Sequence, residues 1–302
     1  MLPATYYGYN MLVRLLRPFA WLPLWFFHAA GTLLGWLAWL LDSAYRRRLA
    51  DNLRQANLAK SGRDYNRLLR ASVGEQGRAA AEMMVHWLRP AEKVAQLVVE
   101  RNGWEHVDAA LARPNPILFV SPHHGAIEAC GIHLAMRIPR QLAALYRPPK
   151  IHALEPLMLA SRDRENGLAA PANAKGVRLL LKTLRAGQTA YLLPDQAPGA
   201  GDGVWASFFG RPAYTMTLLP RLAHQFDATV LFCFAERLSW GRGYRLHVLP
   251  MAGAFSGKPE YDAALLNQHL ETLIKLAPTQ YLWSYNRYKQ PAGAPPAPEF
   301  PH

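Results

Sequence analysis

The segment Ser121-Pro122-His123-His124-Gly125-Ala126-Ile127-Glu128 follows the apolar run Ile117-Leu118-Phe119-Val120. It pairs an imidazole with a carboxylate five residues further on, two groups that together can move a proton. In open α/β sheets, ligands bind outside the carboxyl ends of the strands, so a histidine just past a buried strand is displayed where a substrate can reach it. Glu128 then falls in the first turn of the following helix, where the macrodipole favours negative charge. A sharp turn at Gly125 would fold Glu128 back toward His123, fix the imidazole tautomer and stabilise the imidazolium as it forms. This is acid–base machinery without a nucleophile of its own. Ser121 lacks the glycine-flanked elbow of hydrolases, and Cys130 reads as a small buried residue. The nucleophile therefore comes with the substrate, which suits attack by a substrate hydroxyl on a thioester. Two other readings of these residues stand beside it. One is a structural histidine capping a strand end. The other is a metal held by His123, His124 and Glu128, although the spacing is not that of a helical two-histidine zinc motif and the chain has only two cysteines.

A sheet rim is needed to present such a group, and the rest of the chain reads as one. Helical patterns over 125–136, 174–186 and 261–276 alternate with short apolar strands at 117–120, 141–146 and 189–193. Two further strands, 229–234 and 244–249, are joined by the turn-like Ser239–Gly243. Gly187 is a helix stop signal. The expected fold is α/β, with a mixed, mostly parallel central sheet flanked by helices. The expected division is an N-terminal anchor over 1–45, a catalytic domain over 46–290 and a loose tail over 291–302, where five prolines fall in twelve residues.

From Pro18 to Leu41 no residue is charged. As a helix this run would reach about 36 Å, enough for a bilayer core. Trp21, Trp25, Trp36 and Trp39 sit toward its ends, as interfacial aromatics do. Arg14 and Arg17 precede it and Tyr45-Arg46-Arg47-Arg48 follows it, a bias that favours a cytoplasmic location for the remainder. A span, a hairpin in one leaflet broken at Pro23, and a buried soluble helix all remain open. Residues 46–90 read as basic helices, suited to anionic headgroups or to ordinary solvent exposure. Lys and Arg outnumber Asp and Glu by 34 to 21, giving +13. With a pI of about 10.0, the chain favours polyanionic partners. No nucleic-acid-reading motif appears, and a mean hydropathy of −0.09 excludes a polytopic membrane protein.

The histidine/acid segment resembles the motif of the glycerolipid acyltransferase superfamily, and within it the bacterial lipid A late acyltransferases, which add lauroyl or myristoyl chains. Further blocks resemble that family in the same order: Tyr45-Arg46-Arg47-Arg48 with Asn52-Leu53, Leu145-Tyr146-Arg147-Pro148, Ser161-Arg162, Pro194-Asp195-Gln196 with Phe208-Phe209-Gly210, and Ala277-Pro278-Thr279-Gln280-Tyr281-Leu282-Trp283. The chain departs from the pattern at His124, where an aromatic residue is usual, at Pro149-Lys150, and at Ser284-Tyr285-Asn286-Arg287. The resemblance implies His123 as general base and Glu128 as its orienting acid. Asp195 and Gln196 shape the site by resemblance, whereas by physics alone they could simply bond loop backbone. Arg147 and Arg162 are expected to grip a phosphate or an oxyanion, or else to pair with a neighbouring acid such as Asp163. The implied donor is acyl-acyl carrier protein and the implied acceptor a hydroxyl of a lipid A precursor. The implied place is the cytoplasmic face of a bacterial inner membrane, against an anionic surface, with no cofactor and no metal. An acyltransferase of the same fold acting on another membrane lipid, and a non-catalytic lipid-binding homologue, are the competing expectations.

Overall fold

The structure, a computed structural model, describes residues 16–146, 155–162 and 166–298. Its helices are α1 (Leu24–Leu41), α2 (Ser43–Gln55), α3 (Gly62–Ala81), α4 (Met83–Leu88), α5 (Ala91–Ala95), α6 (Trp104–Leu111), α7 (Ile127–Arg137), α8 (Glu155–Arg162), α9 (Ala174–Arg185), α10 (Leu218–Gln225) and α11 (Pro259–Leu276). Its strands are β1 (Val98–Asn102), β2 (Ile117–Val120), β3 (Leu142–Tyr146), β4 (Gly167–Pro171), β5 (Thr189–Leu192), β6 (Gly203–Phe208), β7 (Arg211–Met216), β8 (Thr229–Arg237) and β9 (Tyr244–Pro250).

Seven strands form one sheet in the order β1-β9-β8-β2-β5-β3-β4, and β6 and β7 form a separate antiparallel ribbon. β8, β2, β5, β3 and β4 are parallel, β9 is antiparallel to β8, and β1 runs with β9. The sheet is thus mixed and mostly parallel, as the alternating pattern predicts. All four residues of β2 are buried, which a central strand covered on both faces requires. Successive side chains alternate between two cores. Leu118, Val120, Leu192 and Phe232 pack under α9, α10 and α11. Ile117, Phe119, Tyr191 and Cys233 pack under α6 and α7. Each fully buried side chain of this size contributes about 1.5–3 kcal/mol of transfer free energy.

The expected strands and helices appear with small changes of boundary, and Gly187 ends α9 in the left-handed region at φ 68°. β1, β4 and the β6–β7 ribbon have no counterpart among the expected elements. At the C-terminal end, the Trp205 indole donates to the Pro295 carbonyl and Ala294 is buried.

The apolar N-terminal helix is docked along the domain. α1 packs lengthwise and antiparallel on α3: a Cβ at Gly31 would lie 2.7 Å from Arg78 Cα, and one at Gly35 would lie 2.2 Å from the Val73 carbonyl oxygen. Only glycine allows two helix backbones to approach this closely.

Candidate active site

Parallel pairing of β2 with β5 and β8 brings three chain segments together at the carboxyl end of the sheet. His123 follows β2, Asp195 and Gln196 follow β5, and Arg237 ends β8. The loop after β2 is fixed mainly through its backbone. Gly125 has φ 61°, and a Cβ there would lie 2.1 Å from the Ala235 carbonyl oxygen. The Gly125 N–H donates to Gln280, the Ala126 N–H donates to Ala235, and the Gly125 carbonyl accepts from Arg237 Nη2 at 2.6 Å. The Leu282 N–H donates to the His123 carbonyl at 3.0 Å. The C-terminal block Ala277–Trp283 therefore clasps the histidine loop.

Asp195 holds His123 twice. Its Oδ2 accepts the His123 backbone N–H at 2.9 Å, and its Oδ1 lies 2.6 Å from Nδ1. Burial pushes the Asp195 pKa up, but the charge and hydrogen bonds of His123, helped by Arg287, bring it below the usual carboxylate value. An ionised carboxylate beside Nδ1 requires the proton on that nitrogen and leaves the lone pair on Nε2. The Gln196 amide Nε2 sits 3.1 Å from His123 Nε2 and donates to that lone pair.

Glu128 does not make the expected bond. Although it lines the same cavity as His123, its carboxylate is forked with Arg162: Nε donates to Oε2 at 3.2 Å and Nη2 donates to Oε1. The physical reason is direction. α7 starts only at Ile127 and points Glu128 toward α8, where a guanidinium matches both carboxylate oxygens. Burial raises the Glu128 pKa, but the charge and hydrogen bond of Arg162, helped by His86 and Trp87, together bring it below the usual carboxylate value. Arg162 is likewise held in its charged form by Glu128 against burial. The bond to imidazole comes instead from Asp195, which is 72 positions from His123 in the chain. Arg147 lies outside the described residues, as does Asp163, the acid considered for pairing with Arg162.

His124 turns away from the cavity. It is fully buried, lies 4.1 Å from the Phe234 ring, and bridges to Tyr281 through its backbone. Burial, with Arg237 nearby, holds its pKa down at about 3, so it is neutral at pH 7 and has the role of a core aromatic. Cys130 is buried with its sulfur 3.8 Å from Cys233. Among the described residues no group of three or more His, Cys, Asp or Glu side chains could hold a metal.

His123, Glu128, Arg162 and Gln196 share the lining of a cavity of about 300 Å³. One face of α7 lines it through Ile127, Gly131, Ile132, Ala135 and Met136, and Leu142 and Gly167 of β3 and β4 line it too. Beside these polar groups, most of the lining side chains are apolar. A flexible hydrocarbon beside a reacting polar head fits that distribution.

Comparison with known proteins identifies the family. Residues 2–290 match the family described as bacterial lipid A biosynthesis acyltransferase. The chain belongs to that family. A lipid A biosynthesis acyltransferase of Haemophilus influenzae is 30% identical over 181 residues, covering 60% of this chain and 56% of that relative. The lipid A biosynthesis lauroyltransferase of Escherichia coli K12 is 28% identical over 222 residues, 72% of this chain and 71% of its own length. The lipid A biosynthesis myristoyltransferase of the same organism is 24% identical over 253 residues, 83% of this chain and 77% of its own length. In this lipid A acyltransferase family member the sequence blocks noted above have structural places. Tyr281 and Trp283 pack against Phe208 and Phe209, and Asn52 donates to the carbonyls of Trp283 and Tyr285.

Proposed function

We propose that this protein transfers a fatty acyl chain from an acyl carrier protein thioester to a hydroxyl of a lipid A precursor, with His123 as general base. The observation that carries this reading is the pairing of His123 Nδ1 with Asp195 while Nε2 faces an apolar cavity. The acceptor hydroxyl displaces the Gln196 amide from Nε2. Its proton passes to Nε2 as its oxygen attacks the thioester carbonyl. Asp195 stabilises the imidazolium that results. When the tetrahedral intermediate collapses, the carbon–sulfur bond breaks and the imidazolium returns the proton to the leaving sulfur. One ester and one thiol are formed, and His123 is restored.

Arg162 and Glu128 act as a unit in this proposal. Glu128 takes Nε and Nη2 of the fork. That leaves the guanidinium plane fixed and charged at the cavity mouth, where it stabilises the oxyanion or an acceptor phosphate. Arg147 is proposed for the same anionic groups. The chain works at the cytoplasmic face of a bacterial inner membrane, and the exposed apolar surface of α1 and the net charge of +13 support attachment to an anionic bilayer.

The test is purified full-length chain incubated with acyl carrier protein thioesters and a lipid A precursor, read by mass spectrometry of the lipid. One added acyl ester is expected, together with loss of one secondary chain from the lipid A of a strain lacking the protein. Transfer only to a glycerophospholipid would replace the acceptor and keep the chemistry. No transfer to any hydroxyl would remove the mechanism.

A further inference from the structure

The long apolar helix satisfies the length and composition of a membrane span, yet its packing contradicts one. Leu24, Phe27, His28, Gly31 and Gly35 form the stripe of α1 turned inward, and it carries polar as well as close backbone contacts. His28 Nε2 lies 3.3 Å from the buried Glu82 carboxylate. Arg78 donates from Nε to the Thr32 hydroxyl at 2.8 Å while pairing with Glu75. Thr32 is midway along α1, so a charged pair sits beside the point that a span would place at the bilayer centre. α3 accompanies α1 over its length, and exposed Arg63, Arg67 and Arg70 belong to the part of α3 nearest the end of α1. Insertion of α1 across a bilayer would either draw the Arg78–Glu75 pair and the flank of α3 into hydrocarbon or strip His28 and Thr32 of their partners.

The opposite stripe of α1 is bare. Trp25, Phe26, Leu33, Leu37, Leu40 and Leu41 are exposed, Leu33 by 71%. At the start of α1 the exposed apolar residues are joined by Phe19, Trp21 and Trp240. Trp240 is 89% exposed and sits at φ 60°, a left-handed conformation that a tryptophan adopts only when its surroundings impose it. The imposing contact is visible: Gly241 lies against the backbone of Trp25 at the start of α1. Trp240 follows β8, so it lies at the same end of the sheet as His123 and Asp195. Ala20, beside these aromatics, packs with Leu157 and Met158 of α8, the helix that carries Arg162 into the cavity. Arg17 precedes the apolar surface and Arg46, Arg47 and Arg48 follow it, all exposed.

We infer that α1, Phe19–Trp21 and Trp240 form one docking surface that lies in the plane of a single anionic leaflet. That surface places the active-site end of the sheet against the lipid, and neither end of α1 crosses to the far side. The occupant is a phospholipid surface because the patch is aromatic and aliphatic, flanked by arginines and continuous with the wall of the cavity. The inference rests on the membrane attachment proposed above and is independent of the acyl-transfer chemistry. An acceptor lipid would then reach His123 sideways from the leaflet.

Full-length chain carrying Arg17→Cys or Ser43→Cys, in sealed membrane vesicles of each orientation, is treated with a membrane-impermeant maleimide. The unsubstituted chain, with Cys130 and Cys233 buried, gives the background. Both positions should react from the same face and be protected from the other. Reaction from opposite faces, or from neither, overturns the in-plane placement. In parallel, the chain is sedimented with vesicles of phosphatidylcholine and phosphatidylglycerol. Binding should rise with phosphatidylglycerol content and fall at least tenfold for Trp25→Glu with Trp240→Glu. Unchanged binding of that double variant overturns the docking surface alone. Failure of the unsubstituted chain to sediment overturns membrane attachment itself and leaves acyl transfer to be judged by its own assay.

Discussion

Two polar clusters flank the loop Pro122–Ala126, and they differ in what they leave unsatisfied. On the cavity side stand His123, Asp195 and Gln196, and among the described residues the basic nitrogen of His123 is met by an amide that a substrate hydroxyl can replace. On the other side Arg237 donates to Glu82, Glu75 and the Gly125 carbonyl, and Tyr244 joins Glu82 at 3.1 Å. That second cluster is buried and closed, and nothing in it faces the cavity. In the proposed mechanism the same chemical types serve turnover in one cluster, and in the other they serve rigidity. The difference lies in whether a lone pair points toward space or toward a permanent partner. Charge at a buried site is therefore weak evidence for chemistry until its unfilled valence is located.

The comparison breaks most sharply through activity. His123→Ala and Asp195→Asn should each lower kcat by about 10²–10⁴-fold with little change in thermal unfolding, because a positioned acid–base pair supplies that factor. Glu128→Gln should lose less than Asp195→Asn, since it loosens Arg162 and not the imidazole. Equal losses would restore Glu128 as the orienting acid. In the closed cluster, Arg237→Met should destabilise the fold by about 3–5 kcal/mol in denaturant titration, because two buried carboxylates lose their partner. A drop in kcat without a drop in stability there would erase the distinction between the clusters. Along the cavity, Ala135→Phe should shift preference toward shorter acyl donors in competition assays, with kcat for the preferred chain retained. Gly131, whose Cβ would lie 3.2 Å from the Tyr191 ring, offers a second position for the same effect.

The smallest effect is on the pH dependence of stability. Glu82 is held at about 2: burial opposes its charge, but Arg237, His28 and His86 outweigh burial. Its contribution is complete above the ordinary value of 4.5 and is lost as pH falls toward 2. Burial holds His133 down at about 4 and His124 at about 3. Both take up protons more readily when unfolded, so stability is lost as pH falls from 6.5 through those values. All three work in the same direction. Thermal scans should show Tm falling below about pH 6.5 and more steeply below 4.5. A Tm that rises on acidification would contradict these buried states.

The strand–loop–helix around His123 was legible because Ile117–Val120 is a short apolar run and Gly125 breaks it, both local signals. The same holds for α9, with its amphipathic stripe and Gly187. β1 was hidden because its residues Glu100-Arg101-Asn102 are polar, as an edge strand permits. β4 was hidden because Gly167-Leu168-Ala169-Ala170-Pro171 has no β-branched residue. β6 was hidden because it opens at Gly203, in a stretch where Gly199, Gly201 and Gly203 point to a loop. Local spacing favoured Glu128 as the partner of His123, whereas Asp195 reaches it through the pairing of β2 with β5. That adjacency is a property of the sheet order, which no local pattern encodes. Family resemblance brought Asp195 and Gln196 to the site without assigning the bond.

The loop that carries the imidazole is positioned largely by main-chain atoms, with the Gly125 N–H and carbonyl, the Ala126 N–H and the His123 carbonyl all engaged, and Asp195 then orients the ring. Side chains elsewhere along the cavity are thereby released from the task of steering the base. If the proposed chemistry holds, a lineage with this loop can widen, narrow or reshape its greasy channel, and so change which fat it handles, without having to rediscover the reaction.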